Sequence, residues 1–337
     1  MLLILGGCTT AGYYAQSIGG HFDLMAKRQD IDTLVEEAST PSELKQKLER
    51  AEAIRAFAIE ELALPDDGSY RSYVDVGKPY VTWNVVATPA LSLSPKTWCF
   101  LVVGCVSYRG YFDESDARDY ADALAGENMD VAVAGARAYS TLGWFDDPIL
   151  NTILFDAEYR FAGTLFHELA HARLFIAGDS SFNESYAVAV EREGVQRWLA
   201  GNASPAMQEA YDRERSRRED FLTLVLATRG ALEALYASPE DDAEKTSDKA
   251  RIFDSLRADY VQLKASWGGY SGYDPWFAND LNNAKLALLA TYNVYVPAFE
   301  RLLAEQQGDM SKFHDAVEAL SKLPQQERDA ALGRLAG

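Results

Sequence analysis

Histidine is scarce in this 337-residue chain, with four in all, and so are cysteine, with three, and basic residues, with 32 against 51 acidic ones. The resulting formal net charge of −19 excludes a protein that works by neutralising nucleic-acid phosphates, which an acidic surface repels. No stretch beyond the N-terminus holds the ~20 uninterrupted apolar residues of a membrane span, so no helical span is expected. No internal repeat is evident, which sets aside a solenoid. What is present is enough apolar material, 48% of residues, to bury a sizeable core, at a length that suits two lobes better than one.

Because histidine is rare, its placement is informative. Two of the four fall in His167-Glu168-Leu169-Ala170-His171, the H-E-x-x-H spelling of zinc peptidases. On an α-helix, residues four apart share a face, so both imidazoles can reach one cation at roughly 2.0–2.1 Å. Glu168 is one residue round from His167, badly placed to ligate and well placed to act as a general base. Phe161, Leu165, Phe166, Leu169 and Phe175 recur at helical spacing, which predicts a buried helix over 157–177 stopped by Gly178.

A zinc site needs at least a third protein ligand. The metzincin continuation would put glycine at 174 and histidine at 177, where the chain has Leu174 and Ala177. His21 and His314 have no motif around them and read as surface or capping residues. A second helix is expected over 182–200, with Glu184 in its first turn, able to fold back over His167 and His171. Ser181-Phe182-Asn183-Glu184 also spells a capping box, in which Glu184 would serve the backbone of Ser181 instead. Asp179, in the connecting turn, is the other candidate ligand.

The string FHELAHARLFIAGDSSFNESYA, preceded by VGCVSYRGYFDE and AYSTLGWFDDPIL and followed by LNNAKLALLATY, resembles the bacterial predicted-aminopeptidase lipoproteins, a glutamate-zincin group, over most of the chain. The resemblance implies an α+β, zincin-like fold, with a mixed sheet lobe followed by a mostly helical lobe and the metal between them. It implies Zn2+ held by His167, His171 and Glu184, with Glu168 as base. Two features depart from the better-known glutamate-zincins. They often place an aspartate four residues after the ligand glutamate, to steady a ligand histidine, where this chain has Val188, so another group must orient His167. The G-x-M-E-N exopeptidase signature is absent, and Gly126-Glu127-Asn128-Met129 is no version of it.

Met1-Leu2-Leu3-Ile4-Leu5-Gly6-Gly7-Cys8 ends in the spelling of a bacterial lipobox, but is too short and lacks the basic region of a signal peptide. Either the start lies upstream of Met1 or the likeness is accidental. With a lipid on Cys8 as the only membrane contact, the protein would be periplasmic, and Thr9 in place of aspartate points to the outer membrane. Cys99 and Cys105 could pair in that oxidising compartment, unless 98–106 is one extended strand, which would hold them too far apart.

Four segments are expected: a truncated signal and lipobox over 1–8, a helical hairpin with a mixed sheet over 9–150, the zinc helices over 151–202, and a helical lobe over 203–337. Two helices are read over 24–64, the second opened by a capping box at Thr40-Pro41-Ser42-Glu43. YVTWNVVA, ALSLS, CFLVVGCV and 131–138 read as strands, and 116–124 as a helix closed by Gly126. Residues 138–143 are either an exposed edge strand that pairs with extended substrate, or a strand end turning into a loop. Tyr108, Arg109, Tyr111 and Phe112 could line the same cleft. Residues 239–249 read as a charged hinge, 213–218 as a solvated face, and 268–277 as a loop that either closes over substrate or packs on helices. Tyr292 is the candidate donor to the tetrahedral oxyanion, with Tyr186 and Tyr270 behind it.

These residues together predict a zinc-dependent peptidase with a peptide substrate at the cell envelope. A zinc amidase acting on peptidoglycan stem peptides shares the same catalytic residues, whereas the rival metal-binding envelope scaffold without turnover has no chemical use for the intact Glu168.

Overall fold

The computed structural model describes residues 5–100, 104–278 and 281–336, with side chains from residue 12 onward, so Met1 to Ile4 and the side chain of Cys8 lie outside the described residues. The first helix is α1 (Leu5–Ala26). β1 (Gln29–Asp30), α2 (Ile31–Glu36) and α3 (Ser42–Leu62) follow. Pro41 itself occupies the N-cap position of α3 and no side chain caps it, so the box expected from Thr40 does not form; Lys45 donates its N–H to the Pro41 carbonyl at 3.1 Å.

The strands come next: β2 (Ser72–Val74), β3 (Thr82–Pro89), β4 (Trp98–Phe100), β5 (Gly104–Val106) and β6 (Arg109–Tyr111). ALSLS is not a strand, because the chain turns at Ala90 and Leu91 and sends Leu93 into an apolar cluster among later helices. CFLVVGCV is not one strand either. β4 and β5 pair antiparallel with Cys99 opposite Cys105, and the two cysteines form a disulfide. α4 (Glu114–Gly126) and β7 (Met129–Ala136) lead to the short β8 (Ile149–Leu150) and α5 (Asn151–Leu154).

Three small sheets result. β3 lies between β6 and β7, antiparallel to both; β2 pairs antiparallel with β1 and parallel with β8; and β4–β5 is the hairpin. On one side of β3, Val85 and Ala87 pack on Ala117, Ala121 and Leu124 of α4.

α6 (Glu158–Arg173) and α7 (Ser180–Asn202) form the centre of the molecule, followed by α8 (Pro205–Ala237), α9 (Asp242–Ser266), α10 (Asp274–Ala278) and α11 (Asn283–Asn293). α6 stops at Arg173, before the residue 177 expected from its apolar pattern. Leu174 is already extended, and Gly178, at φ +86°, makes the turn into α7. α9 is capped by an Asp241–Glu244 box, so most of the expected hinge at 239–249 is helix. α12 (Val296–Glu305), α13 (Met310–Ser321) and α14 (Gln325–Ala336) complete the chain.

One large core joins α3, α6, α7 and α12–α14, with Leu48, Ile54, Phe166, Phe182, Phe299 and Phe313 essentially inaccessible. α8 and α9 share a separate cluster around Phe221, Phe253 and Leu256. α11 bridges to the sheet, where Ala284 packs on Val86 and Ala132. α6 and α7 approach closely because Gly194 presents no side chain: a Cβ there would stand 2.5 Å from Phe166 Cδ2 and 2.7 Å from Leu62 Cδ1. Gly194→Ala should therefore cost roughly 1–3 kcal/mol by overpacking, measured by urea unfolding; a neutral result would show that Phe166 can move aside.

Candidate metal centre and cavity

His167 and His171 lie one turn apart on the face of α6 turned toward α7, held there by the burial of Leu165, Phe166 and Leu169. α7 begins at Ser180, earlier than the sequence pattern predicts, with Asp179 as its cap accepting the Phe182 N–H at 3.1 Å. That leaves Ser181 inside the helix and frees Glu184 from the expected capping box. The Glu184 carboxylate turns inward: its Oε2 is 3.2 Å from His167 Nε2 and 3.6 Å from His171 Nε2, and the two Nε2 atoms are 3.2 Å apart. The three side chains are 12%, 6% and 14% exposed.

Asp179 is elsewhere. Its Oδ2 is 2.5 Å from Arg328 Nη2 in a buried ion pair that ties the start of α7 to α14. Asn183 braces the connector between the two helices, accepting the Ile176 N–H at 2.9 Å and donating to the Ile176 carbonyl at 2.8 Å.

The group that orients His167 is Glu191, which the sequence reading missed. Its Oε2 is 3.2 Å from His167 Nδ1. With that nitrogen donating to a carboxylate, Nε2 presents its lone pair toward His171 and Glu184. Glu191 comes seven residues after Glu184 on the same helix, two turns along one face, so the signal lay at i+7 and not at the i+4 position of Val188.

The donor set fits a zinc ion. Four tetrahedral donors at about 2.0–2.1 Å from a centre stand roughly 3.3 Å from one another, close to the 3.2, 3.2 and 3.6 Å observed. Electrostatics point the same way. Burial alone would lower the His167 pKa, but Glu184 and Glu191 outweigh it and push it up. Burial would raise Glu184, but His171 and His167 hold it below the usual carboxylate range. The cluster thus favours positive charge at its centre. Glu168, with no hydrogen-bond partner among the described residues, has its pKa raised by burial, against the pull of the two imidazoles.

His167, Glu168, His171 and Glu184 line a cavity of about 670 Å³. Tyr292 of α11 reaches it, its ring near-parallel to the His167 ring at 6.3 Å between centroids. Its phenol is pushed well above the ordinary range, first by the charge of Glu184 and then by burial. Tyr108 shares the cavity, its pKa raised by burial and then by Glu184 and Glu168. Neither hydroxyl has a partner among the described residues. Phe112 lines the cavity too, whereas Tyr111 is buried on the α4 side and Arg109 is enclosed by the rings of Tyr13 and Tyr120, at 4.0 and 4.4 Å.

The other candidates are outside it. Tyr186 is fully buried and bonds His314 Nδ1 at 2.8 Å. His314 is a core residue, not a surface one: its Nε2 bonds the Leu62 carbonyl at 2.8 Å, and burial holds its pKa down to about 4. His21 is half-buried, its Nδ1 3.0 Å from the Tyr139 hydroxyl. Tyr270 lies against the Arg217 guanidinium at 4.1 Å, and the 268–277 loop packs on α8 and α9, with Tyr273 stacked on Phe221 at 4.2 Å and Phe277 on Tyr260 at 3.8 Å. It is part of that helical pair and not a cover for the cavity.

Residues 138–143 form no strand, although Ala138, Tyr139, Ser140 and Leu142 do line the cavity. The backbone here is drawn off the ladder: the Thr141 N–H goes to Asp147 Oδ2 at 2.6 Å, and just before the segment the Arg137 carbonyl accepts the Thr152 hydroxyl. β6 and β7, the two edges of the sheet around β3 among the described strands, bring Gly110 and Ala136 to the cavity.

Asp147 is 1% exposed, and burial pushes its pKa up to about 7, with the Thr141 N–H opposing and Glu168 and Asp67 adding. The fold therefore keeps a proton that the unfolded chain releases near pH 4. Its contribution is complete below pH 4 and is lost as the pH rises through 7. Relative to wild type, Asp147→Asn should gain about 3 kcal/mol between pH 4.5 and 7.5 in urea titrations. A difference that does not move with pH would mean that the carboxyl is ionised throughout.

The family model described as "Putative aminopeptidase" matches residues 12–332, and the chain belongs to that family. No curated protein and no solved structure matches it.

Proposed function

We propose that the protein is a zinc-dependent peptidase in which His167, His171 and Glu184 hold the ion and Glu168 is the general base. The observation that carries this reading is the convergence of two Nε2 atoms and one carboxylate oxygen, all within 4.8 Å of one another, in the wall of a cavity large enough for a peptide segment. Membership of the family supports peptide-bond hydrolysis.

When bound, zinc supplies Lewis acidity, polarising the scissile carbonyl and bringing the pKa of the attacking water toward neutrality. Glu168 accepts one proton from that water as the water oxygen bonds to the carbonyl carbon, and returns it to the amide nitrogen as the C–N bond breaks. Burial raises its proton affinity above that of an ordinary carboxylate, against the pull of the two imidazoles, which suits a group that takes and returns a proton. Tyr292 and Tyr108 offer unshared O–H donors for the carbonyl oxygen as it gains charge. Glu191 keeps the His167 ring and tautomer fixed. The same reading places the chain at the envelope, with Cys8 as its anchor.

The direct test incubates zinc-loaded protein with a mixed peptide library and with peptidoglycan stem peptides, reading new termini by mass spectrometry. Cuts in the library are expected. Cuts confined to stem peptides would make it an amidase of the cell wall, and no cut in either would leave a metal-binding scaffold.

A further inference from the structure

The walls of the cavity bear on which peptides this peptidase takes, an inference that rests on the reading above. Tyr13 and Tyr14 of α1 and Phe100 of β4 pack together there, with ring centroids 5.4 Å apart for Tyr13–Phe100 and 6.3 Å for Tyr14–Phe100. Phe112, after β6, meets Tyr139 at 5.6 Å. All five are half-buried, so each ring leaves surface open to the cavity. The Cys99–Cys105 disulfide fixes the hairpin that carries Phe100, and Gly104 lets that hairpin lie against the α6–α7 connector, since a Cβ there would stand 3.0 Å from the Gly178 nitrogen. The aromatic wall and the metal helices are thus built against each other.

The charged groups of the cavity are few and already committed. Its carboxylates, among the described residues, are Glu168 and Glu184. Its one guanidinium, Arg137, is held by both oxygens of Asp156, at 2.8 and 2.9 Å. Outside the described residues the sequence has a single acid, Asp280. A free α-ammonium drawn into such a cavity would call for a carboxylate of its own, and among the described residues no third one lines it. An acidic side chain would face Glu168 and Glu184 across aromatic faces that carry negative potential.

We propose that the cavity selects peptides by a bulky apolar side chain beside the scissile bond, and that it does so without reading a free α-amino group. Apolar rings give up little on binding such a chain and gain its buried area, while an anion there loses its hydration without a partner.

The test uses alanine-rich octapeptides with a single central Phe, Leu or Asp, each with a free or an acetylated N-terminus, and wild-type protein loaded with zinc. Cuts are expected beside Phe and Leu, with kcat/KM about 100-fold lower for Asp and changed less than about threefold by acetylation. Phe100→Ala should narrow the Phe-to-Asp ratio about tenfold, and Tyr14→Ala provides the same test should the hairpin variant fail to fold. Binding to Glu168→Gln by calorimetry gives a readout that needs no turnover, and acetylated Phe peptide should bind more tightly than acetylated Asp peptide. Cleavage only of free N-termini, or equal cleavage of Phe and Asp peptides, overturns this inference and leaves the peptidase reading standing. Selective binding with no cleavage by wild type does the reverse, and neither binding nor cleavage removes both.

Discussion

Glu168→Gln should reduce kcat by roughly 10²–10⁴ while leaving fold and zinc content unchanged, the loss found when a positioned general base is removed. The amide keeps the volume of the carboxylate and cannot take the proton of the attacking water. In barrier terms this is about 3–5.5 kcal/mol. Glu168 has no hydrogen bond to lose among the described residues, so the substitution leaves no buried donor without its acceptor. KM should stay within a few-fold, because the loss belongs to the transition state. If the variant cleaves peptides at the wild-type rate, the base is another group, and the reading of the site fails at its central residue.

Metal binding gives the second large effect. His167→Ala and His171→Ala should each abolish retention of zinc through dialysis, and Glu184→Ala should weaken it strongly, as measured by elemental analysis and by competition with a chromogenic chelator. Glu191→Gln should cost about 10–100-fold in affinity, since its carboxylate only holds the His167 ring. Arg328→Ala supplies the contrast: it leaves Asp179 buried without its cation and should destabilise the fold by about 3–5 kcal/mol, while native protein still binds zinc. Full retention of zinc by Glu184→Ala would remove that residue from the centre and reopen the third position.

The parts of the fold legible in the sequence are those set by local pattern. Phe161, Leu165, Phe166 and Leu169 mark one face of a helix, and that face is buried whatever packs on it. β3, α4 and β7 follow from alternation and capping in the same way. ALSLS misled because alternation is also met in a turn that sends one leucine into a neighbouring cluster, and CFLVVGCV because an apolar run does not say where it folds back on itself. The end of α6 misled for a related reason: Phe175 continues the helical spacing, yet the connector must leave the helix at Leu174 for α7 to return alongside.

The candidate site divides along the same line. By itself the sequence determined His167, Glu168 and His171 as a unit, because a spacing of four on a helix is local geometry and the two imidazoles share a face whatever surrounds them. It favoured Glu184 over Asp179 for the third position, with a capping role for Glu184 as the competing reading. The tertiary structure added what the sequence could not show, pairing Asp179 with Arg328 from the far end of the chain and setting the cap of α7 at Asp179, so that Glu184 faces inward. Glu191 behind His167, the pairing of Cys99 with Cys105, and the cavity wall of Tyr13, Tyr14 and Phe100 were likewise decided by packing. They join elements remote in sequence, or set a side chain's direction through its neighbours, and neither is written in a local spacing.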